Sequence, residues 1–170
     1  MTTNRARPPA KYNALPMILI EQILTPGRCL VNVPGGSKKR VLEQIASLVA
    51  RDLPDLDTQD IFESLIAREK LGSTGFGNGI AIPHCRLAGC KAPICAVLRL
   101  DAAVDFDAID GAPVDLLFVL LVPEAATDAH LELLRQIASM LNRSEVRESL
   151  RQAQSSERLY QLVLDVQSTQ

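Results

Sequence analysis

The stretch GNGIAIPHCRL, residues 77–87, decides how the rest of the chain is read. Gly79-Ile80-Ala81-Ile82 is small and apolar and runs straight into Pro83 and His84. Pro83 has no N–H to give to a β-ladder, and it biases Ile82 toward an extended backbone. A buried strand is therefore expected to end at His84, with the imidazole presented at a sheet terminus. Ligands of open α/β sheets bind at strand ends. His84 is one of only two histidines in the chain. It can be a packing residue, a metal ligand beside Cys85, or a nucleophile.

Working outward, elements alternate. Met17 to Leu24 reads as a short helix or turn start, stopped at Pro26-Gly27. Cys29 to Val33 reads as a strand, ended by Pro34-Gly35-Gly36. Ser37 caps a helix whose apolar face is Val41, Ile45, Leu48 and Val49. Pro54 stops it. Thr58 caps the next, with Ile61, Phe62, Leu65 and Ile66 inward, to about Lys70. Ile94 to Leu100 reads as a strand and Val114 to Val122 as a fully buried one. The Asp105 to Pro113 segment between them is a turn-rich excursion. Thr127 opens a third long helix with Leu131, Leu134, Ile137, Ala138 and Leu141 inward. Ser144 caps a short helix, and Ser155 or Ser156 caps the last, with Leu159, Leu162, Val163 and Val166 inward. Helices paired between strands predict an α/β fold, a single-domain sandwich with a mixed β-sheet flanked by helices on both faces. The domain is expected over residues 17–167.

Composition narrows the function. Of the 170 residues, 47% are hydrophobic, only 4% are aromatic and there is no Trp, so the core is aliphatic. A net charge of −2 without a dense basic stripe argues against nucleic acid as the main partner. No apolar run is long enough to insert in a membrane. MTTNRARPPAKYNALP, residues 1–16, carries cations but no apolar segment, and reads as a flexible tail rather than a secretory signal. The four cysteines, Cys29, Cys85, Cys90 and Cys95, then read as reduced thiols of a cytoplasmic protein.

The glycine-rich GSTGFGNG lacks the Gly-Lys-Ser/Thr of a P-loop, and no helix pattern opens after it as a dinucleotide site needs. It reads either as a tight turn with positive φ or as backbone brought close to an anion, with Ser73 and Thr74 as extra donors. Cys85, Cys90 and Cys95 recur every five residues, a spacing that fits none of the usual zinc knuckles. Neutral imidazole is a competent nucleophile near pH 7, and attack on phosphorus gives a labile P–N bond. Such a carrier needs one nucleophile and donors around the phosphoryl oxygens. Spacing alone leaves a structural and a nucleophilic His84 both open.

DIFESLIAREKLGSTGFGNGIAIPHCRL, residues 60–87, resembles the phosphorylation-site region of fructose/mannitol-type IIA proteins of the bacterial phosphotransferase system, and within them the nitrogen-regulatory subgroup. LIEQILTPGRCLVNVPGGSKKRVLEQIASLVA and HLELLRQIASMLN are similar too, so the likeness covers about residues 17–165. The resemblance implies a phosphohistidine carrier and regulator. His84 would be phosphorylated, Arg68 would pair with the phosphoryl group, and His130 would donate to it or orient the pocket. Ser73, Thr74 and Gly79 would shape the anion cradle, and Arg86 would help dock a partner. No cofactor and no metal is implied. The implied donor is NPr, an HPr-like phosphocarrier. Implied targets include potassium transporters and sensor kinases. The alternatives are a sugar-specific IIA passing phosphate to a IIB domain, and a metal-sensing module built on His84 and the cysteines.

Overall fold

The centre of the molecule is the run VDLLFVLLVP, a strand over Val114–Pro123 in which Val114 and Leu116 to Val122 are all buried. Strands buried on both faces lose the polar alternation of a half-exposed strand, and this is one. The computed structural model describes residues 18–126 and 128–168. The expected tail over 1–16 and the expected cap at Thr127 lie outside them.

In chain order the elements are β1 (Cys29–Val33), α1 (Lys38–Asp52), α2 (Thr58–Leu71), β2 (Gly75–Gly77), β3 (Ile80–Ala81), β4 (His84–Leu87), β5 (Ile94–Val104), β6 (Val114–Pro123), α3 (Asp128–Leu141), α4 (Ser144–Arg151) and α5 (Ser156–Ser168). Two short 3-10 turns, Ile20–Gln22 and Pro26–Arg28, precede β1. The six-stranded sheet runs β1-β5-β6-β3-β2, and β4 also pairs with β6. It is mixed: β1 is parallel to β5, β5 antiparallel to β6, and β3 and β4 both parallel to β6.

Side chains alternate across the sheet. Leu117, Val119 and Leu121 of β6 face a core shared with α1 and α2, through Val41, Ile45, Val49, Ile61 and Leu65. Leu116, Phe118, Leu120 and Val122 face the opposite core, shared with Leu133, Ile137, Leu150, Leu159 and Val163 of α3 to α5. The sandwich with helices on both faces is thus the fold. Ser37 caps α1, its hydroxyl accepting from the Arg40 N–H.

Several expectations shift. Asp57, not Thr58, caps α2, because its carboxylate accepts the Asp60 N–H. Arg143 stands at the N-cap of α4, with Ser144 its first residue. Leu131 is 52% exposed, and the buried face of α3 is Leu133, Ile137, Met140 and Leu141. These four fall at i, i+4, i+7 and i+8, a phase that turns Leu131 outward.

Composition gave no hint of Arg28, which is buried at 6% exposure. Its guanidinium donates to the carbonyls of Cys95 and Ile23 and pairs with Asp52 at 2.5 Å. It ties the chain before β1 to β5 and to the end of α1. Arg28→Ala leaves two carbonyls without their donor and is expected to destabilise the fold by about 3 kcal/mol. Urea unfolding followed by circular dichroism measures this.

Candidate functional site

The strand expected to end at His84 instead breaks and resumes there. Ile80 and Ala81 pair with Leu116 and Leu117, while His84 to Leu87 pair with Leu120 to Pro123. β3 and β4 are therefore one line along β6, interrupted at Ile82-Pro83. The interruption follows from proline, which cannot donate to the ladder. Its carbonyl still accepts the Leu120 N–H at 2.9 Å. At the break the Ile82 carbonyl turns to the histidine ring, 2.7 Å from His84 Nδ1. A carbonyl can only accept, so Nδ1 carries the proton and the neutral ring keeps its lone pair on Nε2.

His84 is half-buried and His130, on the first turn of α3, lies beside it. The ring centroids are 5.7 Å apart and the planes are tilted by 51°. Register explains the meeting. His84 pairs with Leu120, and Leu120 belongs to the core shared with α3. Both rings protonate less readily than a free imidazole. For His84 the chief cause is burial, which outweighs the Ile82 hydrogen bond, and the charge of Arg68 adds to it. For His130 it is burial, then the proximity of His84, Arg86 and Arg68. His130 Nδ1 is buried with no hydrogen-bond partner.

Arg68, in the last turn of α2, donates from Nη1 to the Gly72 carbonyl at 3.0 Å. Its charge reaches both rings. Arg86 is exposed on β4, just beyond His84. Histidine, histidine and arginine thus come together from β4, α3 and α2.

Three other expected site residues do not join them. The Ser73 hydroxyl donates to the Phe106 carbonyl and accepts from the Gly75 N–H. Thr74 is buried, and both its N–H and its hydroxyl donate to Glu69, at 3.0 and 2.6 Å. Neither is a free donor for an anion. Gly79 immediately precedes β3, whose Ile80 pairs with Leu116, whereas His84 pairs with Leu120, roughly 13 Å further along the sheet. It has φ +78°, and a Cβ there would run into the Arg151 guanidinium and the Asp115 carboxylate. Gly77, Asn78 and Gly79 all have positive φ, the mark of a tight turn joining β2 to β3. The Asn78 N–H already donates to Asp110. The positive φ of Gly77 and Gly79 serves the turn.

The metal-module reading fails on geometry. His84 and Cys85 are successive strand residues and point to opposite faces, Cys85 into the core beneath α1 and α2. Among the described residues no group of three or more His, Cys, Asp or Glu is placed to hold a metal ion. Burial also pushes the Cys85 and Cys95 thiols up to about 12, away from the thiolate a metal needs. Sequence reasoning missed two further residues behind the site, Glu69 and Lys38. Glu69 is buried at 8% exposure and paired with Lys38 at 2.7 Å.

Residues 22–166 match the family described as phosphoenolpyruvate-dependent sugar phosphotransferase system, EIIA 2. A nitrogen regulatory protein from Pseudomonas aeruginosa is 77% identical over 154 residues, 91% of this chain and 100% of its own length. One from Escherichia coli is 48% identical over 134 residues, 78% of this chain and 82% of its own. The crystal structure of nitrogen regulatory protein IIA-Ntr from Neisseria meningitidis matches with a TM-score of 0.80 at 45% identity, covering 85% of this chain and 98% of its own.

Two measurements check the site. Both imidazoles are expected to titrate below the free value of about 6.5 in ¹⁵N spectra. The fold prefers the neutral rings, so their contribution to stability is complete above that pH and is lost as pH falls through the folded values. Thiol alkylation should be slow at Cys29, Cys85 and Cys95 in native protein at pH 7, and fast after unfolding in urea, as mass spectrometry of tryptic peptides will read.

Proposed function

This chain belongs to the EIIA 2 family of the phosphoenolpyruvate-dependent sugar phosphotransferase system, and on that premise we propose that it accepts a phosphoryl group on His84 Nε2 and signals through that modification. The observation that carries the reading is the Ile82 carbonyl against Nδ1, because it leaves the lone pair on Nε2, the nitrogen that must attack. A second supporting feature is the neutrality of the ring near pH 7, where a protonated one would be inert.

The donor is a phosphohistidine protein, an HPr-like carrier of the NPr type. The Nε2 lone pair forms the new P–N bond. The donor's P–N bond breaks, and its electron pair returns to the donor imidazole. With an N–H on the donor ring's other nitrogen, as on His84 Nδ1, the donor leaves as neutral imidazole and no proton needs to move in the transfer. Arg68 leaves the Gly72 carbonyl to pair with the phosphoryl oxygens, and His130 donates a ring N–H to them. The start of α3 adds its positive end of the helix dipole. Leu131, beside His130, and Leu71, 84% exposed and three residues beyond Arg68, give the donor an apolar surface to dock on. Arg86 supplies a rim cation.

The phosphoryl group adds about −1.5 to −2 of charge, by analogy with other phosphorylated side chains. Partners that bind one state are then released or recruited by the other. Regulated transporters and sensor kinases of the cytoplasm and its membrane face are the targets that fit a nitrogen-type regulator. The close likeness to nitrogen regulatory proteins favours this over onward transfer to a sugar-specific IIB domain.

Incubation with phosphoenolpyruvate, the first enzyme of the relay and the HPr-like carrier should give acid-labile label on the wild type and none on His84→Ala. Arg68→Ala is expected to slow labelling about 100-fold, the effect of removing one donor from a developing charge. Undiminished label on His84→Ala overturns the reading.

A further inference from the structure

Behind the histidine pair runs a continuous polar chain that the transfer chemistry does not use. Lys38, at the start of α1, places Nζ 2.7 Å from Glu69 Oε1 and 3.2 Å from the Phe106 carbonyl. Glu69 accepts twice from Thr74, the backbone N–H on Oε1 and the hydroxyl on Oε2. The Thr74 carbonyl accepts the Ile82 N–H at 3.0 Å. The Ile82 carbonyl accepts from His84 Nδ1 at 2.7 Å. The series runs through the buried Glu69 and Thr74 and the backbone of Ile82, and it ends on the half-buried His84.

Resting on the carrier reading above, we propose that Glu69 is a positioning residue for His84: through Thr74 and Ile82 it fixes the carbonyl that holds the ring in its Nδ1–H tautomer. The physical case has three parts. The N–H and C=O of Ile82 face away from β6, so nothing in β6 holds them. The Ile82 N–H is held from the other side by Thr74, extending the β2–β3 pairing one residue beyond Gly75–Ala81. Thr74 is the last residue of the α2–β2 loop, between Ser73 and Gly75, and Glu69 clamps it back on the last turn of α2.

A carboxylate is a costly choice for such a clamp if stability were its only use. Buried ion pairs are weak stabilisers compared with packed apolar residues. What a carboxylate does well is accept two donors at once and thereby fix an orientation. Lys38 neutralises it and is itself held by the Phe106 carbonyl and ring, 5.2 Å from the centroid. Glu69 also lies close enough for its charge to be felt at His84. The chain therefore links α1, α2 and the β2–β3 hairpin to one imidazole. Polar partners of a functional histidine set which of its nitrogens is free, and the same logic applies one step further back.

The experiment compares Glu69→Gln, Thr74→Val and Thr74→Ser with wild type. Two-bond ¹H–¹⁵N spectra at pH 8 read the His84 tautomer in the unphosphorylated protein, and single-turnover labelling from the phosphorylated HPr-like carrier reads the rate. Thr74→Val keeps the shape but loses the hydroxyl donor, whereas Thr74→Ser keeps it. Glu69→Gln and Thr74→Val are expected to raise the Nε2–H form of His84 and slow labelling by about 10- to 100-fold, as a misplaced reacting group does. Thr74→Ser should recover most of both. Val163→Ala, a cavity in the opposite core, should lower the unfolding temperature without moving the tautomer. An unchanged tautomer and rate in Thr74→Val overturns the proposal. If Glu69→Gln does not fold, the valine and serine variants decide alone. Wild type in the Nδ1–H form that takes no label would sink the carrier reading and leave the positioning role standing on the tautomer shifts.

Discussion

The site depends on one interrupted hydrogen-bond ladder. β3 and β4 lie on a single line beside β6, and the break at Ile82-Pro83 costs that line at least one donor. On the edge away from β6, where the Ile82 N–H meets Thr74, the Ile82 carbonyl accepts from an imidazole. A residue with an N–H at 83 could have donated to β6, and β3 and β4 could have run as one strand. The proline thus does two things with one missing proton. It halts β3, and it leaves His84 beginning β4 with Nδ1 already committed.

Burial and charge around that histidine act in the same direction. Arg68 and Arg86 bring positive charge to the pair, and the sheet and α3 take away water. Both effects disfavour imidazolium. An empty site is then two neutral rings under a positive field, well suited to an incoming dianionic group. Once such a group arrives, the same cations lie beside a negative charge and the field is satisfied. The arginine charge that disfavours imidazolium would also favour an anion bound beside the rings, as the carrier reading requires. This is why an arginine near a nucleophilic histidine need not raise the histidine's basicity to make it useful.

The elements with regular apolar spacing were the ones legible in the sequence. Val41, Ile45 and Val49 faced inward as their spacing required, and the β6 run was buried on both faces. His84 was singled out by Pro83 before it, with its role left open, whereas Arg68 and His130 were reached through the family resemblance, because they come from other elements and no local spacing relates them to it. What stayed hidden were groups whose role depends on partners far away in the chain. Arg28 looks like any surface cation until the Ile23 and Cys95 carbonyls are seen around it. Glu69 looks like a helix-end charge until Thr74 and Lys38 close over it. Ser73 and Thr74 misled for the complementary reason. Their hydroxyls suit an anion chemically, but the fold had already given each a carbonyl or carboxylate. Leu131 misled because Leu133, two positions on, fits the spacing of Ile137 and Leu141 and takes the core.

That last misplacement bears on how the molecule meets a partner. A helix with spare leucines can turn either one inward, and α3 buries Leu133 while presenting Leu131 next to His130. Leu71 ends α2, three residues beyond Arg68, and is left largely in water. A protein surface tolerates single exposed leucines at little cost. On the carrier reading proposed above, the two have a further consequence. A partner that covered them would remove water from the histidine pair at the same moment. Desolvation strengthens every interaction between Arg68, His130 and a charged group held between them. Docking and electrostatic stabilisation are therefore not separate contributions here. The contact that brings a second protein close also lowers the local dielectric in which the group would move.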